Sequence, residues 1–292
     1  MLFINNVSKS FGNEKVLENL QLQLRKGEIF GLLGRNGSGK TTVLRLIQQI
    51  LLPDEGEIVF EDKRIHLHPE VKQKILYVPV RQPFYDPFNY KQIVRVLKNI
   101  YPNFDVTYAN ELINRYHLPE NKPFRNFSTG MKKQFSIILA FAARPSIILL
   151  DEPTDGIDAV TRHDILQLMV EETAERETTM LITSHRLEDI ERICNRIGML
   201  QNNTISDVMD LDEMKGMYSK IQAVFEEDVI LTIREKGIPI LDHAGVFYTM
   251  VLRKDDQEKR TFLKNLKPKV WHELPVNLEE VFIAKFGGNR RW

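Results

Sequence analysis

Gly34-Arg35-Asn36-Gly37-Ser38-Gly39-Lys40-Thr41 is the stretch from which the fold is read. Its spacing, G-x-x-x-x-G-K-[ST], is that of a loop cradling phosphate between a strand and a helix. The flanks agree. Residues 28–33 read as a strand, and Val43, Leu44, Ile47, Ile50 and Leu51 fall at helical spacing up to Pro53. Gly34, Gly37 and Gly39 let the backbone turn tightly and aim its N–H groups at phosphate oxygens. The following helix adds the positive end of its dipole. Lys40 reaches the β- and γ-phosphates as a mobile point charge. Thr41 offers a hydroxyl to Mg²⁺, which prefers oxygen ligands. The loop implies a nucleoside triphosphate. Asn121-Lys122-Pro123-Phe124 lacks the aspartate of a guanine-reading N-K-x-D, which leans against a GTPase.

Further along, the apolar run Ile147-Ile148-Leu149-Leu150 ends in Asp151-Glu152-Pro153. Neighbouring side chains leaving a strand point to different sides, so the two carboxylates can divide two jobs. Asp151 holds Mg²⁺, directly or through water. Glu152 polarises the water that attacks the γ-phosphate.

The rest of the chain fits a frame of alternating strands and helices. Strands are expected at 2–7, 16–24, 57–60, 75–80, 146–150, 179–183 and 197–200. Helical stretches are expected within 90–141, around Ile165, Leu168 and Met169, and at 187–193. That alternation implies an α/β core with a largely parallel sheet. After residue 205 the rhythm changes. Strands at 221–225 and 246–252, helices at 228–236 and 255–266, and a last helix carrying Leu278, Val281, Phe282 and Phe286 suggest a small ferredoxin-like α+β domain. Asp255…Glu258 reads as a capping box opening the second of those helices. Residues 287–292 are expected to fray.

Composition sets bounds on function. The chain has 292 residues, with 40 basic and 40 acidic, a net charge of +0. A protein built to coat nucleic acid or anionic lipid would show a basic surplus. Hydrophobic residues are 42% and charged residues 27%, the balance of a soluble globular chain. A single cysteine, Cys194, excludes an intrachain disulfide framework and a multi-cysteine metal site, and suits a reducing cytoplasm. The longest apolar runs, at 137–143 and 147–150, fall far short of the roughly 20 residues that span a bilayer. Without a basic n-region and a long apolar h-region at its start, no secretory leader is expected.

Taken in order, these motifs resemble the ATP-binding subunit of a bacterial ABC transporter, over residues 1 to about 205. Phe11, in Ser8-Lys9-Ser10-Phe11-Gly12, stands where the family's aromatic residue stacks on adenine. Thr42 follows the phosphate loop, as is usual. Phe127-Ser128-Thr129-Gly130-Met131 resembles the family signature, and Asp155-Gly156-Ile157-Asp158 its D-loop. His185, after Leu181-Ile182-Thr183-Ser184, looks like the switch histidine that orients the attacking water. The resemblance implies a P-loop NTPase cassette at 1–205, with a mixed sheet core and a helical subdomain at about 88–143, and an accessory α+β domain at 206–292. It implies ATP and Mg²⁺ as ligands. It implies a homo- or heterodimer in which Ser128, Gly130 and Asp158 of one subunit complete the site holding the other's ATP. It also implies a separate membrane permease, which would bring the chain to the inner face of the membrane, and no nucleic-acid partner.

Two positions depart from the family pattern. The signature carries Thr129 and Met131 where Gly and Gln are usual. Val80 occupies the Q-loop glutamine's place after Leu76-Tyr77-Val78-Pro79, and valine cannot ligate Mg²⁺; Gln82 lies two positions on, out of register. The segment 81–90 is rich in proline and aromatics, and two readings stand: an adhesive surface for a helix of the membrane subunit, or core of the helical subdomain. The signature, the Tyr101–Asp105 stretch and Leu278-Glu279-Glu280-Val281-Phe282 look most like ABC-2-type subunits. Those serve exporters of drugs, peptides, envelope components or small metabolites such as acetoin. The rival readings are a soluble ABC-type ATPase and a regulatory ATP-binding module. A single cassette without a coiled-coil insertion, and an intact Glu152 and His185, weigh against them.

Overall fold

The computed structural model describes residues 1–286, so the expectation for 287–292 lies outside the described residues. The chain divides into two compact units, one of residues Met1–Val208 and a second beginning at Met209.

The first unit opens with β1 (Leu2–Phe11), β2 (Glu14–Leu24), β3 (Ile29–Leu33), α1 (Lys40–Ile47), β4 (Glu55–Phe60), β5 (Lys63–Arg64) and β6 (Ile75–Val78). The helical region follows: α2 (Tyr90–Ile100), α3 (Val106–Arg115) and α4 (Thr129–Ala142). Then come β7 (Ile147–Asp151), α5 (Ala159–Arg176), β8 (Thr179–Ser184), α6 (Leu187–Ile193), β9 (Arg196–Gln201) and β10 (Thr204–Asp210). Two sheets form. One has the order β2-β1-β4-β5, every pairing antiparallel. The other has the order β10-β9-β3-β8-β7-β6, with β9, β3, β8, β7 and β6 all parallel. Strands β3, β7 and β8 are buried along their whole length, which accounts for their unbroken apolar runs. An apolar cluster joins Leu2, Leu17 and Leu24 of the antiparallel sheet, Leu44 and Ile47 of α1, and Phe30, Leu149 and Leu181 of the parallel sheet.

The register brings chemistry to one edge. Leu33 of β3 pairs with Ser184 of β8, and Asp151 of β7 with Thr183. The carboxyl ends of three adjacent parallel strands therefore finish level, the place where open α/β sheets bind ligands.

In the helical region, Asn89 caps α2 in a reciprocal box with Gln92. Asp105 caps α3. Tyr90, Phe124, Phe127 and Phe135 make a buried aromatic cluster, with Tyr85 edge-on to Phe124 at 5.7 Å. Within the 81–90 segment Tyr90 is core, whereas Phe84 is 62% exposed. A polar cluster ties α3 to α5. The Tyr108 hydroxyl donates to Glu172 at 2.6 Å, Arg144 and Arg176 pair with the same carboxylate at 3.3 and 3.2 Å, and both guanidiniums stack on the Tyr108 ring.

Three expectations need correction. The helix after the phosphate loop stops at Ile47, because Gln49 turns left-handed at φ 60° and leaves Ile50 exposed. The strand expected to reach 80 ends at Val78, ahead of Pro79.

The second unit holds α7 (Leu211–Gly216), β11 (Tyr218–Val224), α8 (Ile230–Glu235), β12 (Ile240–Ala244), β13 (Phe247–Arg253), α9 (Gln257–Asn265), β14 (Val270–Leu274) and α10 (Leu278–Phe286). Its sheet has the order β12-β13-β11-β14, all antiparallel, over a core of Ile221, Phe225, Tyr248, Met250 and Leu263. This β-α-β-β-α-β succession is the split βαβ arrangement. The third correction falls here: Asp256, not Asp255, caps α9, because the Asp255 carboxylate is taken by Arg253 at 2.7 Å.

Candidate nucleotide site

The loop from Gly34 to Thr41 crosses from the end of β3 into α1. Gly34 is glycine by necessity: an added Cβ would meet Ser38 Oγ at 2.6 Å and the Leu200 carbonyl at 2.7 Å. Gly39, at φ 103°, takes the N-cap of α1 and supplies no side-chain cap. The first-turn N–H groups thus face the loop, as an anion site requires. Ser38 Oγ is buried without a hydrogen-bond partner, and Asn36 is exposed on the loop's outer turn. Lys40 Nζ donates to the Gly34 carbonyl at 2.7 Å and lies 3.7 Å from Glu152 Oε1. Burial pulls the Lys40 ammonium below its usual pKa. Thr41 and Thr42 are half-buried on the first turn of α1.

Asp151 is held from three sides. Thr41 Oγ1 and the Tyr77 hydroxyl donate to Oδ2 at 2.9 and 3.1 Å, and Thr183 Oγ1 donates to Oδ1 at 2.8 Å. Burial and the adjacent Asp151 charge push the Tyr77 phenol pKa up, so it stays a donor. Glu152 lies in the left-handed region at φ 47°, uncommon for a side-chain-bearing residue. Its N–H is fixed by the Thr183 hydroxyl and carbonyl at 3.1 and 3.2 Å. Its Oε2 meets His185 Nδ1 at 2.9 Å, and His185 Nε2 lies 3.7 Å from Asp155 Oδ1. Lys133 Nζ donates to the carbonyls of Glu152 and Asp155 at 2.6 and 2.5 Å.

The structure therefore brings Gly34 to Thr42, Asp151, Glu152 and His185 to one place. Ser128, Gly130 and Asp158 form a second group. Ser128 caps α4 through the Met131 N–H, and Asp158 caps α5 through the Val160 and Thr161 N–H groups. The Thr161 hydroxyl donates to Asp158 at 2.8 Å, and an added Cβ on Gly130 would meet Thr161 Cγ2 at 3.3 Å. Phe11, at the end of β1, is 47% exposed and so is not core. A cavity of about 710 Å³ is walled by the Val78–Pro83 segment, by Lys132 and Lys133 of α4, and by Asp151 and Asp155. Val80 and Gln82 both line it.

Sequence reasoning missed Tyr77, Thr183 and Lys133. For the first two a signal existed: a hydroxyl-bearing residue in an apolar strand beside the acidic pair. The lysine gave none, since its partners are backbone carbonyls of another segment.

A glycine-turned loop on a helix N-terminus, beside a buried aspartate and a glutamate–histidine pair, defines a P-loop nucleoside triphosphatase. Comparison with known proteins narrows this. Residues 17–155 match the ABC transporter family. The ABC transporter ATP-binding protein YtrB of Bacillus subtilis (strain 168) is 65% identical over 292 residues, all of both chains. The bacitracin transport ATP-binding protein BcrA of Enterococcus faecalis is 29% identical over 213 residues, 72% of this chain and 69% of that one. A solved ATP-binding subunit of an ABC transporter superposes with a TM-score of 0.67 at 26% identity, covering 74% of this chain and 92% of the other. A dimeric ATP-binding cassette in a post-hydrolysis state, bound to ADP and Pi, gives 0.63 at 25%, covering 72% and 99%. The chain belongs to the ATP-binding subunits of ABC transporters: it is a nucleotide-binding ATPase coupled to transport. Among the described residues, no helix is long and apolar enough to cross a membrane.

Proposed function

We propose that this subunit hydrolyses ATP with Glu152 as general base, within a dimer that closes around two nucleotides and drives a separate membrane permease. The carrying observation is the level sheet edge where Lys40, Asp151, Glu152 and His185 converge. In this reading the phosphate loop and Lys40 bind the triphosphate, and Phe11 offers its exposed ring to adenine. Thr41 and Asp151, oxygen ligands 2.9 Å apart, fit Mg²⁺. Bound there, the ion supplies charge neutralisation to the phosphate oxygens.

Glu152 takes a proton from water as the water oxygen bonds to the γ-phosphorus and the bond to the bridging oxygen breaks, leaving ADP and phosphate. His185 Nδ1 meets the Glu152 carboxylate and its Nε2 lies 3.7 Å from Asp155 Oδ1, so the ring is held beside the base, where it would orient the attacking water. Ser128, Gly130 and Asp158 act on the ATP of the opposite subunit, with the N-terminus of α4 as the anion site. Exposed Phe84, beside Phe88 and Tyr85, offers the permease an aromatic contact. The signature Phe127–Met131 favours an exporter of the ABC-2 type. The test is Glu152→Gln. Loss of a general base lowers kcat by roughly 10²–10⁴-fold, while ATP titration gives the wild-type affinity. Normal turnover in that variant would move the base elsewhere.

A further inference from the structure

Lys133 lies on the second turn of α4, the helix that Ser128 caps and Gly130 opens. Its ammonium bonds two main-chain carbonyls of one turn, Glu152 and Asp155. That turn is closed by the Asp155 N–H donating to the Glu152 carbonyl at 3.3 Å. The Glu152 backbone is thus held at both ends, by Thr183 at its N–H and by Lys133 at its carbonyl. Such fixing matters here, because Glu152 sits in a left-handed conformation that persists only where its surroundings over-determine it. The carboxylate that emerges from this backbone is the one bonded to His185.

Burial lowers the pKa of Lys133, so the ammonium has given up water. It has spent that desolvation on neutral carbonyls of the catalytic turn. Its neighbour Lys132 points elsewhere, to Asp86 at 3.4 Å. We propose that Lys133 is a positioning residue for the ATPase reaction: it clamps the Glu152–Asp155 turn so that the Glu152 carboxylate keeps its aim, and it ties that aim to the position of α4. The proposal rests on Glu152 being the base. It adds a mechanical link, within one chain, between the helix carrying Ser128 and Gly130 and the base of that chain's own phosphate loop. A shift of α4 displaces the Lys133 ammonium and releases the turn, without any change in the phosphate loop of the same chain.

The experiment compares full-length wild type, Lys133→Met, Lys133→Arg and Glu152→Gln by steady-state hydrolysis, ATP titration and thermal melting. Lys133→Met keeps the stem and loses the donors. A base moved by a fraction of an ångström loses about tenfold to a hundredfold in rate. The expected result is that loss in kcat, with KM, ATP affinity and Tm close to wild type, and with Lys133→Arg restoring most of the rate. Lys133→Met turning over within twofold of wild type overturns the proposal. So does a loss carried by KM, or a loss that follows a fall in Tm and is not rescued by arginine. If Lys133→Met does not fold, Lys133→Gln carries the same comparison. Glu152→Gln separates the two ideas: normal turnover there withdraws the base assignment, whereas arrested turnover there beside a normal Lys133→Met withdraws the clamp alone.

Discussion

Lys40 is buried beside Glu152 and bonded to two carbonyls of its own loop, Gly34 and Arg35. Those are weak claims on an ammonium compared with a triphosphate, since charge-assisted bonds are about twice as strong as neutral ones. Lys40→Ala is therefore expected to weaken ATP binding by at least a hundredfold, about 2.7 kcal/mol, while the fold persists. Fluorescent-nucleotide titration reads this, and an unchanged affinity would remove Lys40 from the phosphates. At this scale much of the site was legible in sequence. Gly34, Lys40, Thr41, Asp151 and Glu152 announce themselves by residue type and spacing, because the phosphate loop and the acidic pair need those chemistries in that order; His185 came through resemblance alone. Lys133 does not, since any donor of the right length could meet a carbonyl. The left-handed turn at Glu152 was equally hidden, because nothing in Asp-Glu-Pro forbids an extended path.

Elements were read well where one periodicity ran unopposed and badly where a single backbone turn intervened. Strands β3 and β7, buried on both faces, follow their apolar runs almost to the residue. The end of α1 does not, because Leu51 still packs on the core after the helix has stopped at Ile47. The apolar spacing therefore continues past the hydrogen bonds. The tie between α3 and α5 through Glu172 left no pattern at all, since its members, Tyr108, Arg144, Glu172 and Arg176, are scattered along the chain. Glu172 is 2% exposed and bonded to three partners. Its removal leaves Arg144 paired with Asp105 at 2.7 Å and Arg176 34% exposed, so the cost is that of the lost bonds and an unpaired Tyr108 hydroxyl, about 1–3 kcal/mol. Glu172→Ala is expected to lose stability of that size in denaturant unfolding, with ATP affinity retained in the folded fraction. A loss below about 1 kcal/mol would mean that water reaches the two arginines freely.

At the scale of the whole molecule, the proposed function gives the single chain one half of each site it needs. It has a phosphate loop and a base at the edge of the parallel sheet, and a separate helix turn at Ser128 and Gly130, where Ser128 caps the Met131 N–H and Gly130 faces Thr161. On the proposed reading a second ATP-binding subunit, identical or not, completes the site, and a dimer closed by ATP accounts for the separation of the two groups of residues. The sequence carried this reading through resemblance, whereas the β12-β13-β11-β14 unit at the C-terminal end was legible as a fold and silent as to purpose. On the proposed mechanism ATP itself closes the dimer and hydrolysis through Glu152 reopens it. The direct measurement is the mass of Glu152→Gln by sedimentation, with MgATP, with MgADP and without nucleotide. Twice the monomer mass is expected with MgATP alone, with the wild type returning to monomer as ATP is consumed. A Glu152→Gln protein that stays monomeric while saturated with MgATP would contradict it.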